Sequence, residues 1–469
     1  MFLKLRVSLC LVSVLALYNT EAQQTKLPNI VLIVTDDQGY NDVGFHGSTD
    51  IVTPNIDHIA HNGVIFEEGY VTYAVCGPSR AGLITGRYQD KFGFSRNPLL
   101  AVNDPNMGLP LSETTLANAV QSKGYATKVI GKWHLGAHES LHPLKRGFDE
   151  FYGFLSGGHR YFPEEWTLHD LSEAKDQWDG YKTKLLNNHT RVLESEYLTD
   201  ALSREAVSFI ARNDKAPFFL YLAYNAPHAP LQATQKYLDR FPNIKDEKRK
   251  TYAAMVSAVD DGVGQVLDAL RQSKTLENTL IIFLSDNGGP EKANASDNGL
   301  LRGGKGDFYE GGVRVPFAMQ WSAKIPKGIR YTKPIISLDI FATIANIIDY
   351  TPAAEKPLDG VNLLPFIRNE NSGFPHEYLY WRNVDANSYA VRGKIFKIWG
   401  HDKTEELYNI QEDLSEKYNL IEKNQHKFQG LQKARQNWTK QLMEPLFLGL
   451  LQDDVYNKNH PDRWKSSAN

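Results

Sequence analysis

Apolar residues along this chain follow two patterns: short unbroken runs, and longer stretches that repeat every three or four positions. Leu27 to Thr35 is a continuous apolar, β-branched run and predicts a strand buried on both faces. It stops abruptly at Asp36-Asp37-Gln38-Gly39. Ser112 to Lys123 predicts a helix, with Ser112 as its N-cap and Gly124 just past its end. A strand from Tyr125 to Ile130 follows and gives way to Gly131-Lys132-Trp133-His134. Tyr197 to Asn213 is amphipathic, with Leu198, Leu202, Phe209 and Ile210 on its apolar side. Pro217 then leads into a buried-type strand, Phe218 to Leu222, which exits into Asn225-Ala226-Pro227-His228. Tyr252, Val256, Val259, Val263, Val266 and Leu270 mark one face of a long helix. The strand Thr279 to Leu284 comes next and runs into Ser285-Asp286-Asn287-Gly288-Gly289.

Strands alternating with helices predict an α/β fold: a large, mostly parallel mixed sheet flanked by helices. Ligands of such sheets bind beyond the carboxyl ends of the strands. Four apolar strands end here in polar residues: Asp36-Asp37, Lys132 and His134, His228, and Asp286-Asn287. One polar strand exit is an ordinary turn. Four that combine carboxylates, an amide, a lysine and two histidines read as a single assembled site. Beyond Pro365 the texture changes. Tyr378 to Trp381, Tyr389 to Val391 and Lys394 to Ile398 predict short antiparallel strands, followed by Glu406-Leu407-Tyr408-Asn409 and a charged helical tail. The expected division is a signal peptide over 1–22, a catalytic domain over 23–369, and a small C-terminal α+β domain over 370–469 carrying an antiparallel sheet.

The signal peptide rests on Lys4 and Arg6, the apolar run Val7 to Leu17, and small residues around Thr20-Glu21-Ala22. The run is too short for a membrane span, which takes ~20 residues, and no later segment suggests stable membrane insertion. The chain has 469 residues and a net charge of −3 with no basic stripe, so nucleic acid is not an expected partner. Secretion makes glycosylation plausible at three sequons, Asn188, Asn294 and Asn437; Asn294 is the doubtful one, since it lies near the expected site. Of two cysteines, Cys10 falls in the signal, which leaves Cys76 alone in the mature chain. A single cysteine in an oxidising compartment is buried and inert, bonded to a second chain, or chemically used.

Asp36, Asp37, Asp286 and Asn287 are hard oxygen donors, suited to Ca²⁺ or Mg²⁺ rather than zinc. In isolation they also read as solvated turns. Lys132 and Lys305 likewise read as surface lysines, and His134 and His228 as structural histidines. Around the lone cysteine stands Val75-Cys76-Gly77-Pro78-Ser79-Arg80-Ala81-Gly82-Leu83-Ile84-Thr85-Gly86-Arg87. This Cys-X-Pro-X-Arg core, followed by Leu-X-Thr-Gly-Arg, resembles the type I, formylglycine-dependent sulfatase signature of the alkaline phosphatase superfamily. Ile84 departs from the more usual leucine. Asp36-Asp37, Gly131 to Gly136, Pro227 to Pro230, Asp286-Asn287, Arg302 to Lys305, Leu358 to Val361 and Glu406 to Asn409 resemble the family's blocks in the same order, covering essentially the whole mature chain.

The resemblance implies an arylsulfatase-like enzyme. Its cysteine, Cys76, would be converted in the endoplasmic reticulum to Cα-formylglycine by the formylglycine-generating enzyme. It implies one Ca²⁺ held by Asp36, Asp37, residue 76, Asp286 and Asn287, and catalytic roles for Arg80, Lys132, His134, His228 and Lys305. A sulfated small molecule or saccharide is the expected substrate, the expected destination is the secretory pathway, secreted or lysosomal, and a homodimer is possible. The segment around Gly82 and Gly86 is expected to begin a helix behind residue 76. Loops 90–110 and 150–190 are expected to set specificity; His159 and Ser156 are candidate pocket residues, whereas His46 and His138 have no such support. Three rivals stand beside this reading: a phosphonate monoester or phosphodiester hydrolase of the same fold, an inactive secreted binding protein, and a dimer disulfide-linked through Cys76.

Overall fold

The computed structural model describes residues 27–213 and 215–464. The expected signal segment 1–22, and Cys10 with it, lies outside the described residues. The strands are β1 (Asn29–Thr35), β2 (Val64–Phe66), β3 (Gly69–Tyr70), β4 (Ala126–Lys132), β5 (Glu150–Phe154), β6 (Leu185–Asn187), β7 (Thr190–Val192) and β8 (Phe218–Ala223). They continue as β9 (Thr279–Ser285), β10 (Phe317–Gln320), β11 (Ile329–Tyr331), β12 (Ile335–Ile336), β13 (Leu379–Asn383), β14 (Ser388–Arg392), β15 (Phe396–His401) and β16 (Thr404–Asn409).

Ten strands form one sheet in the order β11-β2-β10-β9-β1-β8-β4-β5-β6-β7. Its centre, β9-β1-β8-β4-β5, is parallel throughout, and antiparallel strands close both flanks. The central strands are unbroken apolar runs because both of their faces are covered. In β1, Ile30, Leu32 and Val34 pack on one side with the helices Cys76–Thr85 and Leu338–Ile347. Val31 and Ile33 pack on the other side with the helices Leu198–Arg212 and Glu247–Gln272. Each of these fully buried aliphatic side chains contributes roughly 2 kcal/mol.

Thus the α/β architecture with a mixed, mostly parallel sheet is as expected, and so is the antiparallel β13-β14-β15-β16 sheet that follows. Trp381 of β13 donates its indole N–H to the carbonyl of Val71 at 2.8 Å, tying that small sheet to the segment that follows β3.

Three local expectations are corrected. The helix expected from Ser112 covers only Leu116–Gln121. Its cap is Thr115, whose side chain and that of Asn118 bond each other's backbone N–H groups reciprocally. Glu113 is buried and paired with Arg87 and Lys356, which holds the stretch before Thr115 in a turn. The strand expected from Lys394 begins at Phe396, because Gly393 and Phe396 close a turn through a backbone hydrogen bond and Ile395 is left exposed at its tip. The helix near residue 76 starts at Cys76 itself; Gly82 lies inside it, and Gly86, at φ 65°, caps its end. Among the described residues no helix is long and apolar enough to cross a membrane.

Candidate active site

The four polar strand exits converge at the carboxyl ends of β1, β4, β8 and β9. After a strand, consecutive side chains ordinarily point to opposite faces. Asp37 escapes that rule by adopting φ 64°, in the left-handed region. Its carboxylate therefore joins that of Asp36 in one cluster. One atom each from Asp36, Asp37, Cys76 and His228 lies within 4.8 Å of the others.

Cations surround these carboxylates. Lys132 Nζ lies 2.6 Å from Asp36, and Arg80 reaches Asp286 at 2.8 Å; all four side chains are fully buried. Lys305 Nζ lies 2.7 Å from Asp37. Burial alone would raise the Asp37 carboxyl, but Lys305, helped by His228, holds it down at about 2. Burial opposes the charge of Lys305 as well, and Asp37 more than restores it, so the ammonium keeps its proton. Burial, with Asp36 beside it, pushes the Asp286 carboxyl up. The carboxylates are thus crowded despite their lysine and arginine partners.

Asn287 completes the oxygen set. Its amide nitrogen donates to Asp37 Oδ1 at 2.7 Å and to the Gly288 carbonyl at 3.0 Å. Its Oδ1 is buried with no hydrogen-bond donor. A buried amide oxygen without a donor, on a side chain bonded to one of the crowded carboxylates, has the chemistry that a cation ligand needs. The donor set therefore fits a hard divalent ion. His228 Nε2 stands 3.6 Å from Asp37 Oδ2 and Cys76 Sγ is 3.5 Å from Asp36 Oδ1, so both border the same space. The oxygen ligands are the better match to calcium, which favours oxygen over imidazole or thiol donors.

Cys76 is the first residue of its helix and only 2% exposed. Asn97 accepts the N–H of Gly77 at 2.8 Å and fixes this end of the helix. Burial pushes the Cys76 thiol up to about 12, and Lys132 and Lys305 only moderate that rise. An unmodified Cys76 would be a neutral thiol, a poor nucleophile at ordinary pH. Its burial speaks against a bond from this sulfur to a second chain.

His134, at φ 57°, turns back into the site and packs against Gly157, where even a methyl group would lie 2.8 Å from Nε2. Its Nδ1 is buried without a partner. Burial, then Lys132 and Arg80, drives its pKa well below the usual value, which leaves a neutral base. His228 is driven down to about 3 by burial and then Lys305. Its Nδ1 lies 2.6 Å from the Ala229 carbonyl, an acceptor, so the neutral ring carries its proton there.

All the sequence-derived site residues thus gather at one place. The two pocket candidates do not join them. Ser156 Oγ donates to the Gly158 carbonyl, and His159 is fully buried with both ring nitrogens on backbone carbonyls, those of Arg160 and Thr183. Both brace the loop. Three further residues border the site: Asn294, noted in the sequence only as a sequon near it, and Tyr161 and Tyr181, which the sequence did not single out. Asn294 donates to the Asp37 carbonyl at 3.1 Å, and Tyr161 donates to the His228 carbonyl at 2.8 Å. The Tyr181 ring lies 6.4 Å from that of His228. The only signal for Tyr161 and Tyr181 was the aromatic density of 161–181.

A sulfatase family model matches residues 28–350. The human N-acetylgalactosamine-6-sulfatase is 33% identical over 354 residues, covering 72% of this chain and 65% of its own. The chain therefore spans just under two thirds of that relative's length. The sulfatase YdeN of Escherichia coli (strain K12), whose function is uncharacterized, is 32% identical over 415 residues, covering 77% and 70% of the two chains. The solved structure of Ps i-CgsB in complex with k-i-k-neocarrahexaose is 40% identical, with TM-score 0.86, over 93% of this chain and 98% of that one. The chain belongs to the sulfatase family, the sulfuric ester hydrolases of the alkaline phosphatase superfamily.

Proposed function

We propose that the protein hydrolyses sulfate monoesters of carbohydrates through a formylglycine made from Cys76, with one Ca²⁺ held by Asp36, Asp37, Asp286, Asn287 and residue 76. The carrying observation is the gathering of Arg80, Lys132 and Lys305 around crowded carboxylates at a buried Cys76. A sulfate ester resists attack because its anionic oxygens repel nucleophiles, and preorganised cations remove that barrier. The calcium, when bound, supplies further positive charge next to the sulfate oxygens.

The hydrated aldehyde at residue 76 offers two hydroxyls. One would supply the nucleophile toward sulfur, its proton making good the one that Lys305 gives to the departing oxygen as the ester sulfur–oxygen bond breaks. Lys305 keeps its proton in the free site and is the donor to the departing oxygen. His228 is neutral there, with Nε2 bare; an arriving sulfate anion favours its protonation, after which it assists. His134, neutral and with Nδ1 free, would take the proton from the unsulfated hydroxyl, so that the carbon–oxygen bond to sulfate breaks and the aldehyde returns. Arg80 and Lys132 hold the developing charge.

The saccharide preference draws on the names of the relatives, an N-acetylgalactosamine-6-sulfatase and a protein solved with a neocarrahexaose. Within the reading, residues 23–369 and 370–469 are the catalytic and C-terminal units. Maturation by the formylglycine-generating enzyme fits a route through the secretory pathway, ending outside the cell or in the lysosome. The test is an assay of secreted protein on nitrophenyl sulfate and sulfated saccharides, beside nitrophenyl phosphate and phosphonate esters. The expected result is sulfate release that stops on exhaustive chelation and returns with Ca²⁺. Preferential phosphonate or phosphodiester turnover would replace the reading with its rival, and no turnover at all would favour a binding protein.

A further inference from the structure

We propose that Trp178 and Tyr181 form an aromatic wall that binds the sugar unit next to the sulfated one, so that the substrate is an oligosaccharide rather than a sulfated monosaccharide. This rests on the sulfate-ester reading above and adds a substrate class to it. Three rings lead outward from the chemistry. The His228 and Tyr181 rings meet edge-on at 6.4 Å, and the Tyr181 and Trp178 rings meet edge-on at 5.7 Å. Exposure rises along the same path: Tyr181 is partly buried, whereas Trp178 is 60% exposed. Among the described residues the Tyr181 hydroxyl has no hydrogen-bond partner, which leaves it free for a sugar hydroxyl.

The flat indole face suits the C–H face of a pyranose, and the polar edge suits its hydroxyls. The turn that carries the wall is braced before any ligand arrives. It spans Gln177–Lys182, whose capping Asp176 carboxylate accepts the N–H groups of Trp178 at 2.8 Å and Asp179 at 3.0 Å. Gln177 Oε1 accepts from the Leu100 N–H at 2.9 Å and from Arg463 Nη2 at 2.7 Å. Ser156 Oγ lies 3.2 Å from the Gly180 carbonyl. Arg463 is 2% exposed, so the far end of the chain fastens the loops around Leu100 and Gln177 to each other. Preorganisation of this kind spares the ordering cost of binding.

The test compares wild type, Trp178→Ala and Trp178→Phe on nitrophenyl sulfate and on sulfated galactose and N-acetylgalactosamine saccharides, from monosaccharide to hexasaccharide. In the wild type KM falls between the monosaccharide and longer chains. Trp178→Ala raises KM for the longer chains about five- to ten-fold at unchanged kcat, and Trp178→Phe recovers most of the loss. Kinetics on nitrophenyl sulfate and on the monosaccharide stay within about two-fold, which also reports an intact fold. A loss spread equally over all substrates, no loss on the longer chains, or turnover of nitrophenyl sulfate without any saccharide turnover would overturn the wall while leaving the sulfatase reading intact. A wild type that releases sulfate from none of these esters overturns both.

Discussion

Arg80 meets Asp286 through both Nε and Nη2, each 2.8 Å from the same carboxylate oxygen, although 206 residues separate the two and neither side chain is exposed. The planar guanidinium is oriented by hydrogen bonds from Nε to Asp286 and from Nη1 to the Lys132 carbonyl at 3.4 Å, while Nη2, buried without a hydrogen bond, also lies 3.9 Å from Asp36. A lysine brings a point charge without that fork. Arg80→Lys is expected to lower kcat on nitrophenyl sulfate by about a hundred-fold, the usual loss for one transition-state donor, with a small change in melting temperature. Near wild-type kcat would remove Arg80 from the reaction.

Asn294 sits in a sequon but is 1% exposed, and its amide is engaged on the Asp37 carbonyl. Asn437, by contrast, is exposed on the helix Gln425–Thr439. Glycopeptide mapping should find the Asn294 peptide bare in every preparation and Asn437 modified. Asn294→Ala should cost about 1 kcal/mol of stability, from one lost buried hydrogen bond, and lower turnover by loosening Asp37. A glycan on Asn294 would contradict this packing.

A second buried charge cluster predicts a pH dependence of stability. Lys397 is fully buried between Glu310 at 2.8 Å and Glu416 at 3.0 Å. Burial, opposed by Lys397 and reinforced by Glu310, raises the Glu416 carboxyl from 4.5 to about 7. The folded protein thus holds a proton that the unfolded chain gives up above 4.5, so this contribution to stability falls as pH rises from about 4.5 to 7. Melting curves across that range should show the decline in the wild type and a flatter profile in Glu416→Gln. Identical profiles would count against it.

The central strands and the Cys76 segment were legible in the sequence because both depend on local order. Unbroken apolar runs declare buried strands, and the polar residues ending them declare the sheet's functional edge. The boundary errors arose where tertiary contacts override local signals, as when Glu113 pairs with Arg87 and Lys356 and passes the helix cap from Ser112 to Thr115. His159 shows the same limit within the site region: its residue type suits a pocket, and only the fold reveals that its ring is buried with both nitrogens against backbone carbonyls, one of which takes its single N–H. Trp178 and Tyr181 lie on a 3-10 turn without periodicity, where nothing local distinguishes a rim residue from loop filling.

The account depends above all on what residue 76 is in the active protein. A buried thiol pushed up to about 12 stays neutral at ordinary pH and is a poor nucleophile toward sulfur. Mass spectrometry of the peptide spanning residue 76, from enzyme purified by its sulfate-releasing activity, tests this directly. The aldehyde, in proportion to specific activity, is the predicted result. A free thiol in fully active protein would contradict the account.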